Sequence, residues 1–123
     1  MKREDGANPP WDICERTFAF SLRIVKLVNE LPRTTAGSIV ARQIMRSGSS
    51  VGANVEEARG STSKREFARR MSIALSEARE SLYWLRLVAE SGILPKPRLR
   101  LLVGEADELV RVLTAIVKRS RSK

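Results

Sequence analysis

An all-α, antiparallel up-down-up-down four-helix bundle is the fold this sequence predicts, and three observations predict it. Apolar residues recur at spacings of three and four through four long segments. The breaks between those segments are short and marked by Pro, Gly or a capping hydroxyl. No segment alternates apolar and polar residues with period two, so strands are not expected. Short connections make consecutive helices antiparallel neighbours. The 123 residues are read as a single domain, with residues 1–11 and 119–123 as flexible ends.

The first helix is expected after "NPPW", where Asp12 and Glu15 have the spacing of a capping box. Ile13, Thr17, Phe20, Ile24, Leu27 and Leu31 form its inner face, and Pro32 ends it. The second is expected from Ala36 to Arg59, with Thr34 or Thr35 as cap and Gly60 in the left-handed position beyond its end. The third opens on a capping box, Ser63 with Glu66. Its stripe is Phe67, Met71, Ala74, Ala78, Ser81, Leu85 and Val88, and Gly92 stops it. Pro97 suits the first turn of the fourth, whose face is Leu99, Leu102, Ala106, Leu109, Leu113 and Ile116.

Three helices carry a second apolar line: Phe18, Leu22 and Val25 on the first, Leu75, Leu82 and Ala89 on the third, and Val103, Val110 and Val117 on the fourth. One reading is that these lines widen the core stripe. The other is contact with further copies of the chain, which leads us to expect a ring-like homo-oligomer. Gly48 and Gly52 give the second helix a flat strip where another backbone approaches closely, and the small residues Ala74, Ala78 and Ser81 point to the third helix as its neighbour. Beside the strip Ser47, Ser50, Asn54 and Glu57 descend one side of the helix, with Arg46 at their head. This polar seam is read as a register device, with Glu77 a candidate partner for Arg46. The alternative, a pocket formed by Arg46, Ser50, Asn54 and Glu57, requires the seam to open to solvent.

Composition narrows the chemistry. The chain has no histidine, which removes Ser-His and Cys-His nucleophiles and imidazole metal sites. Cys14 is the sole cysteine, so neither an intrachain disulfide nor a thiolate cluster is available, and a reducing, cytoplasmic setting is expected. No P-loop or metal-ligand spacing occurs, so we expect no enzyme, cofactor or metal. The start "MKREDGANPPW" lacks the apolar run of a signal peptide, and no uncharged run approaches the roughly 18 residues of a membrane span. Lys and Arg total 23 against 14 Asp and Glu, a net charge of +9, which favours polyanionic partners.

The run "RQIMRSGSSVGANVEEARGSTSKREFARRMSIALSEARESLYWLRLVAESGIL" resembles the four-helix-bundle family named for proteins encoded in intervening sequences of bacterial 23S ribosomal RNA genes. Gln43, Arg46 and Ser47 match its Gln-x-x-Arg-Ser opening; Ser50, Val51, Ala53 and Asn54 match its Ser-hydrophobic-x-small-Asn run, and Glu57 the acid that follows. Ser63, Glu66 and Phe67 match the start of the next helix, and Ala74, Leu75 and Glu80 its continuation. Where many members have Ala and Gly, this chain has Glu56 and Ala58. The resemblance implies a four-helix monomer, a homopentamer, and an RNA or ribonucleoprotein ligand. Accessory proteins of diversity-generating retroelements, similarly basic, share the architecture and bind a reverse transcriptase and nucleic acid.

Candidate contacts to nucleic acid follow from where the charge lies. Arg65, Arg69, Ser72, Ser76, Arg79, Tyr83 and Arg86 form one line on the third helix opposite its Phe67 stripe. Arginines interleaved with hydroxyls and a tyrosine suit phosphate contacts and base stacking. Lys118, Arg119 and Arg121 add cations at the C-terminal end, where a helix terminus also accounts for positive charge. A solvated face with a Glu66–Arg70 pair is the plain alternative for the line. Repetition around a ring turns a modest strip into a continuous band. The expected function is therefore non-enzymatic binding of structured RNA or a nucleic-acid-bound protein, with a purely structural assembly module as the alternative.

Overall fold

The structure, a computed structural model, describes the backbone of residues 10–121 and the side chains of residues 13–121. Flexibility of residues 1–9 and 122–123 lies outside what it describes. Four helices follow one another: α1 (Pro10–Glu30), α2 (Thr35–Arg59), α3 (Lys64–Ser91) and α4 (Lys96–Arg121). No strand occurs among the described residues.

Cross-helix contacts show that neighbours run antiparallel. Ile24 meets Gly48 and Thr17 meets Gly52; Ser47 bonds Ser81, and Asn54 bonds Arg70; Arg16 pairs with Glu105, and Arg98 with Glu30. In each pair of contacts the number rises on one helix as it falls on the other. Helix α2 packs extensively on α1 and α3, and α3 on α4, while α1 and α4 touch sparsely. The core contains Phe20, Ile24, Ile44, Val51, Met71, Leu85, Leu99, Leu109 and Leu113, all essentially inaccessible to water.

The predicted inner face of α1 is buried throughout. Its start differs: the helix is already formed at Pro10, which leaves Asp12 inside the first turn rather than at the cap. Thr34 caps α2, its hydroxyl accepting from the Gly37 N–H at 3.0 Å, and Ser63 caps α3, accepting from Glu66 N–H at 3.0 Å. Gly92 closes α3 with φ 80°, the left-handed conformation suited to glycine. Gly60 does not adopt it. Its φ is −87°, and its N–H still reaches the carbonyls of Glu56 and Glu57, so α2 ends through a right-handed turn. Residues 119–121, expected as part of a flexible tail, continue α4.

Two further expectations change. The buried stripe of α4 ends on Val117, with Ile116 only half-buried. Seven residues fall about 20° short of two full turns, so the line Val103, Val110, Val117 drifts toward the core with each heptad. Val103, Val110, Leu75, Leu82 and Ala89 pack against the core from its margin, so the second lines of α3 and α4 widen it. On α1, by contrast, Phe18 is 64% exposed and Leu22 53%.

The Gly48 and Gly52 strip faces α1. A Cβ on Gly48 would come within 2.7 Å of the Ile24 side chain, and one on Gly52 within 3.2 Å of the Thr17 carbonyl oxygen. The small residues of α3 meet Ser47 instead, through Ser81. Helix α2 is thus closely approached from two sides by different means. Gly48→Ala is expected to destabilise the protein by about 1–3 kcal/mol through overpacking. Gly104→Ala, where an added Cβ meets nothing within 4 Å, is expected to stabilise it by about 0.5–1 kcal/mol. Urea denaturation of both variants checks the contrast; equal shifts in the same direction would contradict the close α1–α2 contact.

Candidate nucleic-acid interface

The polar seam of α2 sits between that helix and α3, and its members separate by depth. Ser47 is fully buried and Asn54 is 9% exposed, Ser50 is half-buried, while Arg46 and Glu57 lie on the surface. Ser81 Oγ is 2.9 Å from Ser47 Oγ and 2.9 Å from the Glu77 carbonyl oxygen. A hydroxyl has one proton, so both contacts are met when Ser81 donates to the carbonyl and Ser47 donates to Ser81. Asn54 Nδ2 donates to the Ser50 carbonyl at 2.9 Å and to Ser50 Oγ at 3.0 Å, while its Oδ1 accepts from Arg70 Nη1 at 3.1 Å. Arg70 in turn holds Glu66, at 3.1 Å. Among the described residues no buried side-chain polar atom lacks a partner.

Arg46 crosses from α2 to α3, binding Glu77 at 3.2 Å and also Glu80, which accepts from the Trp84 indole N–H at 2.9 Å. The expected Arg46–Glu77 pair is therefore present within a larger cluster. Glu57, exposed, takes no part in the buried seam. Sequence reading missed Arg70 as the partner of Asn54, because an arginine amid the arginines and lysine of α3's first turns carries no local mark of an inward reach. Ser81, a hydroxyl in an otherwise apolar stripe, was the signal for the Ser47 contact.

The predicted phosphate-contact residues all lie on the surface, with unequal freedom. Arg69 is held bidentately by Glu66 at 3.1 and 3.0 Å, and Arg121 donates to Ser72 Oγ at 3.1 Å. Arg65, Arg79, Arg86 and Lys118 make no side-chain hydrogen bond or ion pair with any described residue. Arg119 is exposed at the end of α4. Tyr83, 58% exposed, meets Trp84 edge to face with ring centroids 5.1 Å apart.

The Arg121–Ser72 bond marks the flank of α4 turned toward α3. At 100° per residue Arg100, Arg111 and Lys118 share one line beside that flank, so the basic line of α3 broadens onto α4. Arg111 is offset by Asp107 at 3.0 Å. Arg100 was missed as a candidate because its place beside α3 depends on helix pairing. Cys14 is half-buried; burial first and Glu56 second push its thiol above the ordinary range, which suits a packing role. No group of acidic residues and cysteine fit to hold a metal occurs among the described residues.

The fold and this surface define a basic, antiparallel four-helix bundle whose polar groups between α2 and α3 are saturated from within. The chain belongs to the 23S rRNA-intervening sequence protein family, whose model matches residues 11–115. It is similar to a crystal structure of a protein of unknown function from the S23 ribosomal protein family of Bacteroides thetaiotaomicron. The two are 30% identical with a TM-score of 0.82, over 89% of this chain and 97% of that one. No curated protein matches the chain.

Burial separates the two polar clusters energetically. Asn54→Ala removes the acceptor of a part-buried guanidinium and is expected to destabilise by about 1–3 kcal/mol. Arg46→Ala breaks exposed pairs and is expected to change stability by under about 1 kcal/mol at neutral pH. Arg46 first and Trp84 second hold the Glu80 carboxyl below its ordinary range. A lowered folded-state value contributes stability that is present above the ordinary carboxylate range and fades as pH falls through the lowered one. The Arg46→Ala protein should therefore lose less stability on acidification than the parent. Urea midpoints at neutral pH and at about pH 3 measure both effects; an Asn54→Ala protein as stable as the parent would contradict the structural role of the seam.

Proposed function

We propose that the protein is a non-enzymatic, cytoplasmic RNA-binding module that assembles as a homo-oligomer, a pentamer by family resemblance. In this reading a basic surface repeated around the assembly holds structured RNA or a ribonucleoprotein. The observation that carries the reading is the free charge on α3 and α4: Arg65, Arg79, Arg86 and Lys118 point outward with no acidic partner among the described residues. Arginine forks and lysines of this kind bind phosphate, and their attraction adds up when copies repeat.

Assembly is supported by α1. Phe18, Leu22 and Val25 recur at spacings of four and three on the side of the helix away from its buried face and stay exposed, unlike the second lines of α3 and α4. An exposed apolar row beside a well-filled core fits contact between copies. A non-enzymatic role is supported by the saturated seam, whose Asn54 has both amide groups engaged within the chain. No helix among the described residues is long and apolar enough to cross a membrane.

Light scattering with and without a short structured RNA, across a salt series, tests the proposal. The expected result is an oligomer-sized particle that binds at low salt and releases as salt rises, with a steep log-log slope reporting several phosphate contacts per particle. Arg79→Gln with Arg86→Gln is expected to lower the slope without changing particle size. An oligomer indifferent to RNA at low salt would leave the assembly module alone standing.

A further inference from the structure

A cleft of about 480 Å³ lies at one end of the bundle, between the α2–α3 turn, the first turn of α3 and the last turn of α4. Its size suits a ligand no larger than a nucleotide or two. Lys64 and Arg119 bring positive charge from segments far apart in the chain, and the half-buried Phe67 lines the cleft beside them. Lys64 makes no ion pair with any described residue.

The hydroxyls divide into two kinds. Ser63 Oγ accepts from the Glu66 N–H, which leaves its own proton to give, and the Thr62 hydroxyl has no partner among the described residues. Both are donors suited to phosphate oxygens. Ser61 and Ser120 have already donated, to the carbonyls of Glu57 at 3.3 Å and Val117 at 2.8 Å, so they offer lone pairs to a ligand that brings hydroxyl protons. A group with negative charge, a flat ring and sugar hydroxyls answers all of these features. A ribonucleotide has that composition.

Charge says which nucleotide it takes. The cleft lies at the end of the bundle where α3 begins and α4 ends, about 100° round each helix from Arg65 and Lys118, the nearest members of the basic lines. A terminal phosphomonoester carries about −1.5 to −2 charges at neutral pH, against one for an internal diester, and two facing cations favour the former.

We infer that this cleft binds the terminal phosphomonoester nucleotide of an RNA strand. Lys64, Arg119, Thr62 and Ser63 hold the phosphate, Phe67 packs on the base, and Ser61 and Ser120 accept from the ribose. The inference rests on the proposed RNA binding and adds to it a preference for one kind of strand end.

The test uses one short RNA sequence made with a 5′-phosphate, with a 3′-phosphate, and with hydroxyls at both ends. Binding of each to the full-length protein is measured by fluorescence anisotropy at fixed salt. The expected result is about tenfold tighter binding of one phosphorylated form than of the hydroxyl form, the size of one good charge-assisted contact. Which form gains identifies the end that is bound. In Lys64→Gln with Arg119→Gln the ratio between the two forms is expected to fall to about one, while Arg79→Gln with Arg86→Gln weakens both forms and leaves the ratio. Equal binding of all three RNAs by the parent protein overturns the end site and leaves RNA binding intact. No binding of any of them overturns both. A ratio unchanged in the Lys64 and Arg119 variant overturns the assignment to this cleft.

Discussion

The close approach of α1 to α2 at Gly48 and Gly52 is the constraint on which the rest of the bundle depends. Ile24 occupies the space a side chain on Gly48 would fill, and the backbone of Thr17 lies against Gly52, while Ser21 Oγ reaches the Gly48 carbonyl at 3.4 Å. With α1 set at that distance, the opposite flank of α2 fixes α3 through Ser47, Ser81 and Asn54. Helix α4 then closes on α3 through the leucines and valines at the core margin. The order of helices in space thus follows their order in the chain.

The polar groups at the centre of this arrangement have a consequence that apolar packing lacks. A Leu in place of Ser81 would fill space without distinguishing one register of α3 on α2 from the next turn. The Ser81 hydroxyl meets the Ser47 hydroxyl across the interface in one register only, whereas its bond to the Glu77 carbonyl lies within α3 and is the same in any register. Arg70, reaching Asn54 while anchored by Glu66, gives the same discrimination at the other end of the seam. The backbone positions from which the outward cations of α3 project are consequently set by the register of α3 on α2.

Much of the fold was legible because its causes are local. The 3.6-residue period placed every inner residue of α1, and the hydroxyls of Thr34 and Ser63 marked two helix starts. What escaped is non-local or cumulative. The glycine spacing shows that a backbone comes close but not which one, so α1 could be identified only from the assembled bundle. Heptad drift is small per repeat and decides between Ile116 and Val117 only after two of them. Gly60 is a residue that permits the left-handed turn, and yet it takes a right-handed one, with its N–H bonded back to the carbonyls of Glu56 and Glu57. At the site, residue type and spacing located the exposed arginines. They did not separate Arg69, held by Glu66, from Arg65 and Arg79, which differ from it in partners rather than in pattern.

The sparse meeting of α1 with α4 also bears on how the chain acquires its structure. Among the described residues it is the one helix contact between elements not consecutive in sequence, and the ion pairs Arg16–Glu105 and Arg98–Glu30 across it are partly open to solvent. Nearly all tertiary contact is therefore made between a helix and the next one in the chain, which keeps contact order low and loop-closure entropy small. Each hairpin is able to form as soon as its second helix leaves the ribosome, without waiting for the C-terminus. For a basic chain made beside ribosomal RNA, such vectorial folding shortens the time its apolar faces stay uncovered.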